Sequence, residues 1–263
     1  MDAGTHNMPR RLAPCVTHLY RYPVKGLSPQ PLEAVQLTAG ETVPFDRAFA
    51  IEGGSGRFDP AAPRYLPKIN FLMLMRDERL ATLQTRFDEQ SQTLVIFRGG
   101  KPVVCGDLTT RPGREMIEQF LAAYMNDSLR GPPRIAAAPG HSFSDVAAKC
   151  LHIVNLASVR ELERAANRRI NPLRFRANVY IDNVPAWDEL SWMGKQIMIG
   201  GATLTVFHRT QRCAAIDVDP VTGVRDMAIP GVLLRTWGHS DFGIYAKVTA
   251  GGRISRGDCL MVA

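Results

Sequence analysis

Short stretches of alternating apolar and polar residues dominate the first half of the chain. Val16 to Pro23, Ala34 to Leu37, Arg47 to Glu52, Thr82 to Arg86 and Thr93 to Phe97 lean to strand, with Gly, Pro and Asp between them. Turn signals at intervals of about ten residues are the rhythm of a barrel or sandwich. The period changes at Met116, Ile117, Phe120, Leu121 and Tyr124, which predict a helix over Arg114 to Met125 started by Thr110 or Pro112.

Gly131 to Pro133, followed by Ala136 to Gly140, reads as a linker between a domain over 12–128 and a second over 134–263. A strand over Leu151 to Asn155 then leads to a helix opened by Ser158, with Glu161 at capping-box spacing. Further strands are expected at Asn178 to Asp182, Gln196 to Ile199, Thr203 to Phe207, Ala214 to Val218, Ile244 to Val248 and Cys259 to Val262. Helical patterns do not alternate regularly with strands, so the fold class is mainly β with flanking helices (α+β) rather than parallel α/β.

The 263 residues suffice for two modest domains, each with a core. Met1 to Leu12 is polar and lacks the apolar centre of a signal peptide, and Phe71 to Met75 is too short to cross a bilayer. A cytoplasmic protein without a membrane partner is expected. The five cysteines are scattered, with no pair at zinc-site or redox-dithiol spacing, which predicts reduced thiols. The net charge of +7 is largely arginine without a lysine-rich tract, so a compact anion suits it better than nucleic acid. Walker, zincin, nucleophile-elbow and dinucleotide fingerprints are missing from the sequence.

Three segments carry candidate chemistry. Arg209 and Arg212 put positive charge beside Cys213, and nearby cations favour the thiolate, which is both nucleophile and metal ligand. Read locally, a small buried hydrophobe, the fate of most free cysteines, is the more usual role for Cys213. Arg174, Arg176 and Asn178 would share one face of a strand and aim at a phosphate or pterin edge, or else form a solvated basic face. Lys25-Gly26 ends a strand with a charge and an approachable backbone amide.

A wider pattern joins these segments. Tyr22-Pro23-Val24-Lys25-Gly26, Asp46-Arg47, Ser144-Asp145, Asn155 to Ser158 and Phe175-Arg176-Ala177-Asn178 come first. Trp187-Asp188-Glu189-Leu190, Arg212-Cys213, Val218 to Gly223, Asp241 to Tyr245 and Gly257-Asp258 follow in order. Over nearly the whole chain the series resembles the MOSC family (molybdenum cofactor sulfurase C-terminal domain) with its N-terminal β-barrel partner. It looks closest to the mitochondrial amidoxime-reducing component and its bacterial relatives.

The resemblance implies a MOSC β-barrel packed against an N-terminal β-barrel-like domain, with a molybdenum cofactor (Mo-molybdopterin) in the cleft between them. Cys213 would be the metal ligand and the catalytic residue. Lys25, Arg47, Arg176, Asn178 and Arg212 would hold the pterin and its phosphate, with Ser158 and Tyr245 near the cofactor. Gly26 stands where those relatives have serine, which turns a side-chain contact into a backbone one, and Thr210-Gln211 replaces their Cys/Ser stretch before Arg-Cys.

The implied activity is oxygen removal from small N-hydroxylated substrates, with Asp145 or Asp219 as proton relay. The chain stops at Ala263 without a ferredoxin-like cysteine cluster, so a separate electron donor, a ferredoxin or flavin reductase, is expected. The rival implication is a non-catalytic carrier of the cofactor or its sulfur.

Overall fold

The computed structural model describes residues 13–54 and 56–263. Met1 to Leu12, read above as a polar segment, lies outside the described residues. The strands of the first half are β1 (Cys15–Arg21), β2 (Gln30–Leu32), β3 (Ala34–Leu37), β4 (Phe49–Gly53), β5 (Gln84–Phe87), β6 (Thr93–Arg98) and β7 (Lys101–Asp107). Helix α1 (Arg111–Tyr124), β8 (Pro133–Ala137), β9 (Leu151–Asn155), α2 (Leu156–Ala166), β10 (Val179–Asp182), β11 (Gln196–Ile199) and β12 (Ala202–Gln211) follow. Helix α3 (Ile229–Trp237), β13 (Asp241–Ala250), β14 (Gly252–Ser255) and β15 (Leu260–Val262) complete the chain. The fold is mainly β with flanking helices, and no described helix is long and apolar enough to cross a membrane.

The largest sheet has eight strands in the order β15-β11-β12-β13-β9-β10-β1-β2. Its pairs are antiparallel except β9 with β10, whose parallel register is bridged by α2. Alternation supplies the core: along β12, Ala202, Leu204 and Val206 turn inward against Ile153, Val179 and Ile244. The sheet curls until its ends meet. Val16 N donates to Asp258 O at 2.9 Å and Leu260 N to Pro14 O at 2.9 Å, so the start of β1 closes onto the residues before β15. Strands from both halves of the sequence therefore share one sheet.

A second lobe holds the β5-β6-β7 meander, the β4-β8 pair and α1. Leu94 and Ile96 of β6 and Ile117 and Leu121 of α1 are all buried in its core. Thr110 caps α1 as the sequence predicts, accepting a hydrogen bond from Gly113 N at 3.2 Å.

Several expectations need correction. The linker segment is partly strand: Pro133 occupies the first position of β8, where a missing N–H is tolerated, and Ile135 and Ala136 are buried. Ala214 to Val218 forms a 3-10 turn over Ala214–Asp217, because Asp217 accepts from Ile229 N and pulls the chain toward α3. Helix α2 is capped by Asn155, whose side chain accepts from Ala157 N at 2.9 Å, so Ser158 stands inside the first turn. The Arg174 to Asn178 stretch is a 3-10 turn closed by Arg176 at φ 53°, not a strand. Besides β8, the sequence reading also missed β2, β7, α3 and β14.

Candidate functional site

A cleft of about 230 Å³ lies between the lobes. Lys25, Gly26, Arg47, Arg176, Asn178, Arg212, Cys213 and Tyr245 all line it, from five separate stretches of chain. Ser158 does not. Its hydroxyl is fully buried, donating to Glu189 Oε1 at 2.7 Å and accepting from Trp187 N at 2.8 Å.

Lys25 follows β1 into the cleft wall, where it is nearly buried. Its Nζ donates to Phe143 O at 2.8 Å and to the Asp145 carboxylate. Burial pulls the lysine pKa down, and Asp145 offsets part of that shift. Burial would raise the Asp145 carboxyl, yet Lys25, Lys68 and Arg47 together hold it well below the usual carboxylate range. Asp145 is therefore ionised at any working pH. Gly26 has φ 86°, and a Cβ there would meet Leu72 O at 3.1 Å, so the turn that presents Lys25 favours glycine.

Arg47 and Arg176 both pack on the buried ring of Tyr22, each guanidinium carbon 4.3 Å from the ring centroid. Arg47 is anchored further by Asp46 at 2.5 Å and by the Arg176 carbonyl at 2.9 Å. The Arg176 guanidinium has no carboxylate partner among the described residues, and burial pushes its pKa down to about 10. Asn178 is committed to the scaffold, accepting from His152 N at 3.0 Å and donating to Tyr20 O at 3.2 Å.

On the opposite wall, β12 ends and delivers Arg212 and Cys213. Arg212 donates to Phe175 O at 3.0 Å and lies 3.4 Å from His152 Nε2, while its Nε is buried without a partner among the described residues. Burial, then Arg212 and Arg47, lower the His152 pKa well below 6.5, so the ring is neutral. Tyr245 pairs across the sheet with His152, ring centroids 5.3 Å apart, and burial pushes its phenol up to about 12. Gly243 makes room for this layer: a Cβ there would sit 2.7 Å from His152 Nε2 and 2.7 Å from Ile153 O.

The half-buried thiol of Cys213 accepts a hydrogen bond from Lys68 Nζ at 3.1 Å. Lys68 was not among the sequence candidates. It arrives on a 3-10 turn over Lys68–Asn70, inside a proline-rich stretch whose pattern carries no period. Arg174 lines the cleft with Arg176, as expected, but its guanidinium is already paired with Asp219 at 3.1 Å and Asp226 at 2.7 Å. Asp219 holds that loop and does not line the cleft.

The donor set suits an anionic group with a soft metal. Arg176, Arg212 and Lys68 carry charge without a carboxylate partner among the described residues, and a thiol stands beside two of them. Guanidinium groups neutralise phosphate, and thiolate favours a soft or intermediate metal.

The MOSC N-terminal beta barrel domain family model matches residues 13–130 and the MOSC domain model matches residues 138–260. The chain belongs to the MOSC domain family, in the form that carries both domains. It is 36% identical over 115 residues (42% of this chain, 15% of the relative) to a molybdenum cofactor sulfurase of Drosophila ananassae. It is 26% identical over 251 residues (90% of this chain, 34% of the relative) to the molybdenum cofactor sulfurase of Caenorhabditis elegans. The mitochondrial amidoxime-reducing component 1 of Mus musculus is 28% identical over 104 residues, 38% of this chain and 30% of that protein. The chain thus spans about a third or less of the length of these curated relatives.

Proposed function

We propose that this chain holds a molybdenum–molybdopterin cofactor in the cleft, with Cys213 as its metal ligand, and removes oxygen from small N-hydroxylated compounds. The observation that carries the reading is the convergence of the Cys213 thiol with Arg176, Arg212 and Lys68, three cations without carboxylate partners among the described residues. When bound, the cofactor would supply the two-electron chemistry of oxygen removal.

The chain's own residues bind and orient. Arg47, Arg176 and Arg212 hold the phosphate and the pterin edge, and Lys25 adds its charge from a position fixed by Asp145. The Gly26 backbone can approach the anion closely. Asp145, already ionised and bound to Lys25, orients that lysine and is a poor source of protons. Tyr245 and Lys68 are the protonated groups facing the cleft near Cys213, so protons at the reacting oxygen would come from them or from water. Electrons come from a separate ferredoxin or flavin reductase.

Metal analysis tests the reading. Protein made in a cofactor-competent host should carry molybdenum, and Cys213→Ala should lower its content on the order of tenfold or more. Equal molybdenum in both proteins, or none in the native chain, overturns it. The identity with molybdenum cofactor sulfurases favours one second reading, a carrier of the cofactor or its sulfur. Reduction of a hydroxylamine by loaded protein with a chemical reductant supports the enzyme, and transfer to an apo-acceptor without turnover supports the carrier.

A further inference from the structure

Away from the cleft, Cys15 and Cys259 are residue-for-residue partners in an antiparallel bridge. The backbone bonds flanking them, Val16 N to Asp258 O and Leu260 N to Pro14 O, are both 2.9 Å. Those two bonds leave the cysteines as a pair that exchanges no hydrogen bond, the narrow kind of antiparallel site, where α-carbons stand about 4.5 Å apart. A disulfide spans α-carbon separations of about 4.4–6.8 Å. Both side chains project to the same face. Val16 and Leu260 turn into the core, so by strand alternation their neighbours Cys15 and Cys259 turn outward. Cys259 is exposed and Cys15 half-buried, and both are free thiols here.

The position gives the pair a mechanical role. The large sheet runs from β15 at one end to β1 and β2 at the other, and this bridge joins those ends. Cys105 lies on β7 in the other lobe, Cys150 is buried and Cys213 lines the cleft, so the remaining thiols sit elsewhere in the fold.

We propose that Cys15 and Cys259 form a reversible disulfide that staples the barrel shut, with a low-molecular-weight disulfide such as oxidised glutathione as the oxidant. The Cys259 thiolate attacks one glutathione sulfur, the glutathione S–S bond breaks, and one glutathione leaves as thiolate. The Cys15 thiolate then attacks the Cys259 sulfur of the mixed disulfide and releases the second glutathione. Two electrons pass to glutathione, and the two cysteine protons are taken up by the departing thiolates. The closed loop contains nearly the whole chain, so the link constrains the unfolded state strongly.

The test treats folded native protein with oxidised glutathione, maps peptides by mass spectrometry and follows melting. A Cys15–Cys259 cross-linked peptide is expected, with a Tm rise on the order of 5 °C that reductant reverses. Cys15→Ser should keep the reduced protein's Tm, give only a glutathione adduct at Cys259 and show no rise. Absence of the cross-linked peptide in native protein overturns the proposal, and so does a cross-link that leaves Tm unchanged or lower.

Discussion

Lys68 and Cys213 meet across the cleft from opposite lobes, Nζ donating to Sγ at 3.1 Å. Burial works against the lysine charge, but the bond to sulfur and the nearby Asp145 carboxylate together outweigh it, raising the lysine pKa above its ordinary value. The contact sets a positive charge directly against the sulfur. Lys68→Met keeps the stem and removes the charge. In metal-free protein near neutral pH it should slow alkylation of Cys213 by roughly 3- to 10-fold. Mass spectrometry of the Cys213 peptide measures this, and an unchanged rate would show that the contact does not govern the thiol.

Tyr22 organises Arg47 and Arg176 through its ring. Each flanking guanidinium lies 4.3 Å from the centroid, while the buried hydroxyl has no hydrogen-bond partner among the described residues. Each contact of this kind is worth about 0.5–2 kcal/mol. Tyr22→Phe should therefore bind inorganic pyrophosphate as the native protein does. Tyr22→Leu should bind it on the order of fivefold more weakly at equal folded fraction. Calorimetric titration separates the two, and equal loss in both variants would place the effect in the hydroxyl.

How much of this was legible in the sequence depends on where each side chain gets its direction. Thr110 and the apolar spacing through Tyr124 specify α1 locally, and the helix appears as read. Cys213 and its cations were legible because they sit in short motifs, although Arg174 and Arg176 reach their places by a turn rather than by strand alternation. Lys68 was not legible, since its partner lies 145 positions away and its proline-rich surroundings carry no period. Helix α3 was hidden by Pro230 and Gly231, which read as a turn but occupy its first turn. The facing of Cys15 and Cys259 depends on barrel closure, which spacing along the chain cannot encode.

Acidification should act first through His152. Burial, with Arg212 and Arg47 beside it, holds its folded pKa well below 6.5, so the native ring stays neutral while the unfolded ring takes up a proton. The unfolded state then binds more protons, and stability falls as pH drops below the ordinary histidine value. The stability contributed by the neutral ring is fully present above that value. Urea unfolding across pH 8 to 5 should show a midpoint that declines below about 6.5. In His152→Gln the slope there should shrink by as much as ~1.4 kcal/mol per pH unit, one proton's share. An unchanged slope would assign the decline to other groups.

Ser158 tests the distinction between a residue near a cofactor in sequence pattern and one that touches the cleft. Its hydroxyl is fully buried between Glu189 Oε1 at 2.7 Å and Trp187 N at 2.8 Å, joining α2 to the turn after β10. Glu189 is itself buried, and burial raises its pKa, while Asn155 and Ser158 stabilise the carboxylate by hydrogen bonds. Removing the hydroxyl leaves one acceptor and one backbone donor without that partner, a loss of about 1–3 kcal/mol. Ser158→Ala should thus lower the urea midpoint while molybdenum per folded protein stays at the native level. A variant of native stability that had lost metal would move Ser158 back into the cofactor site, and the packing of α2 would need another explanation.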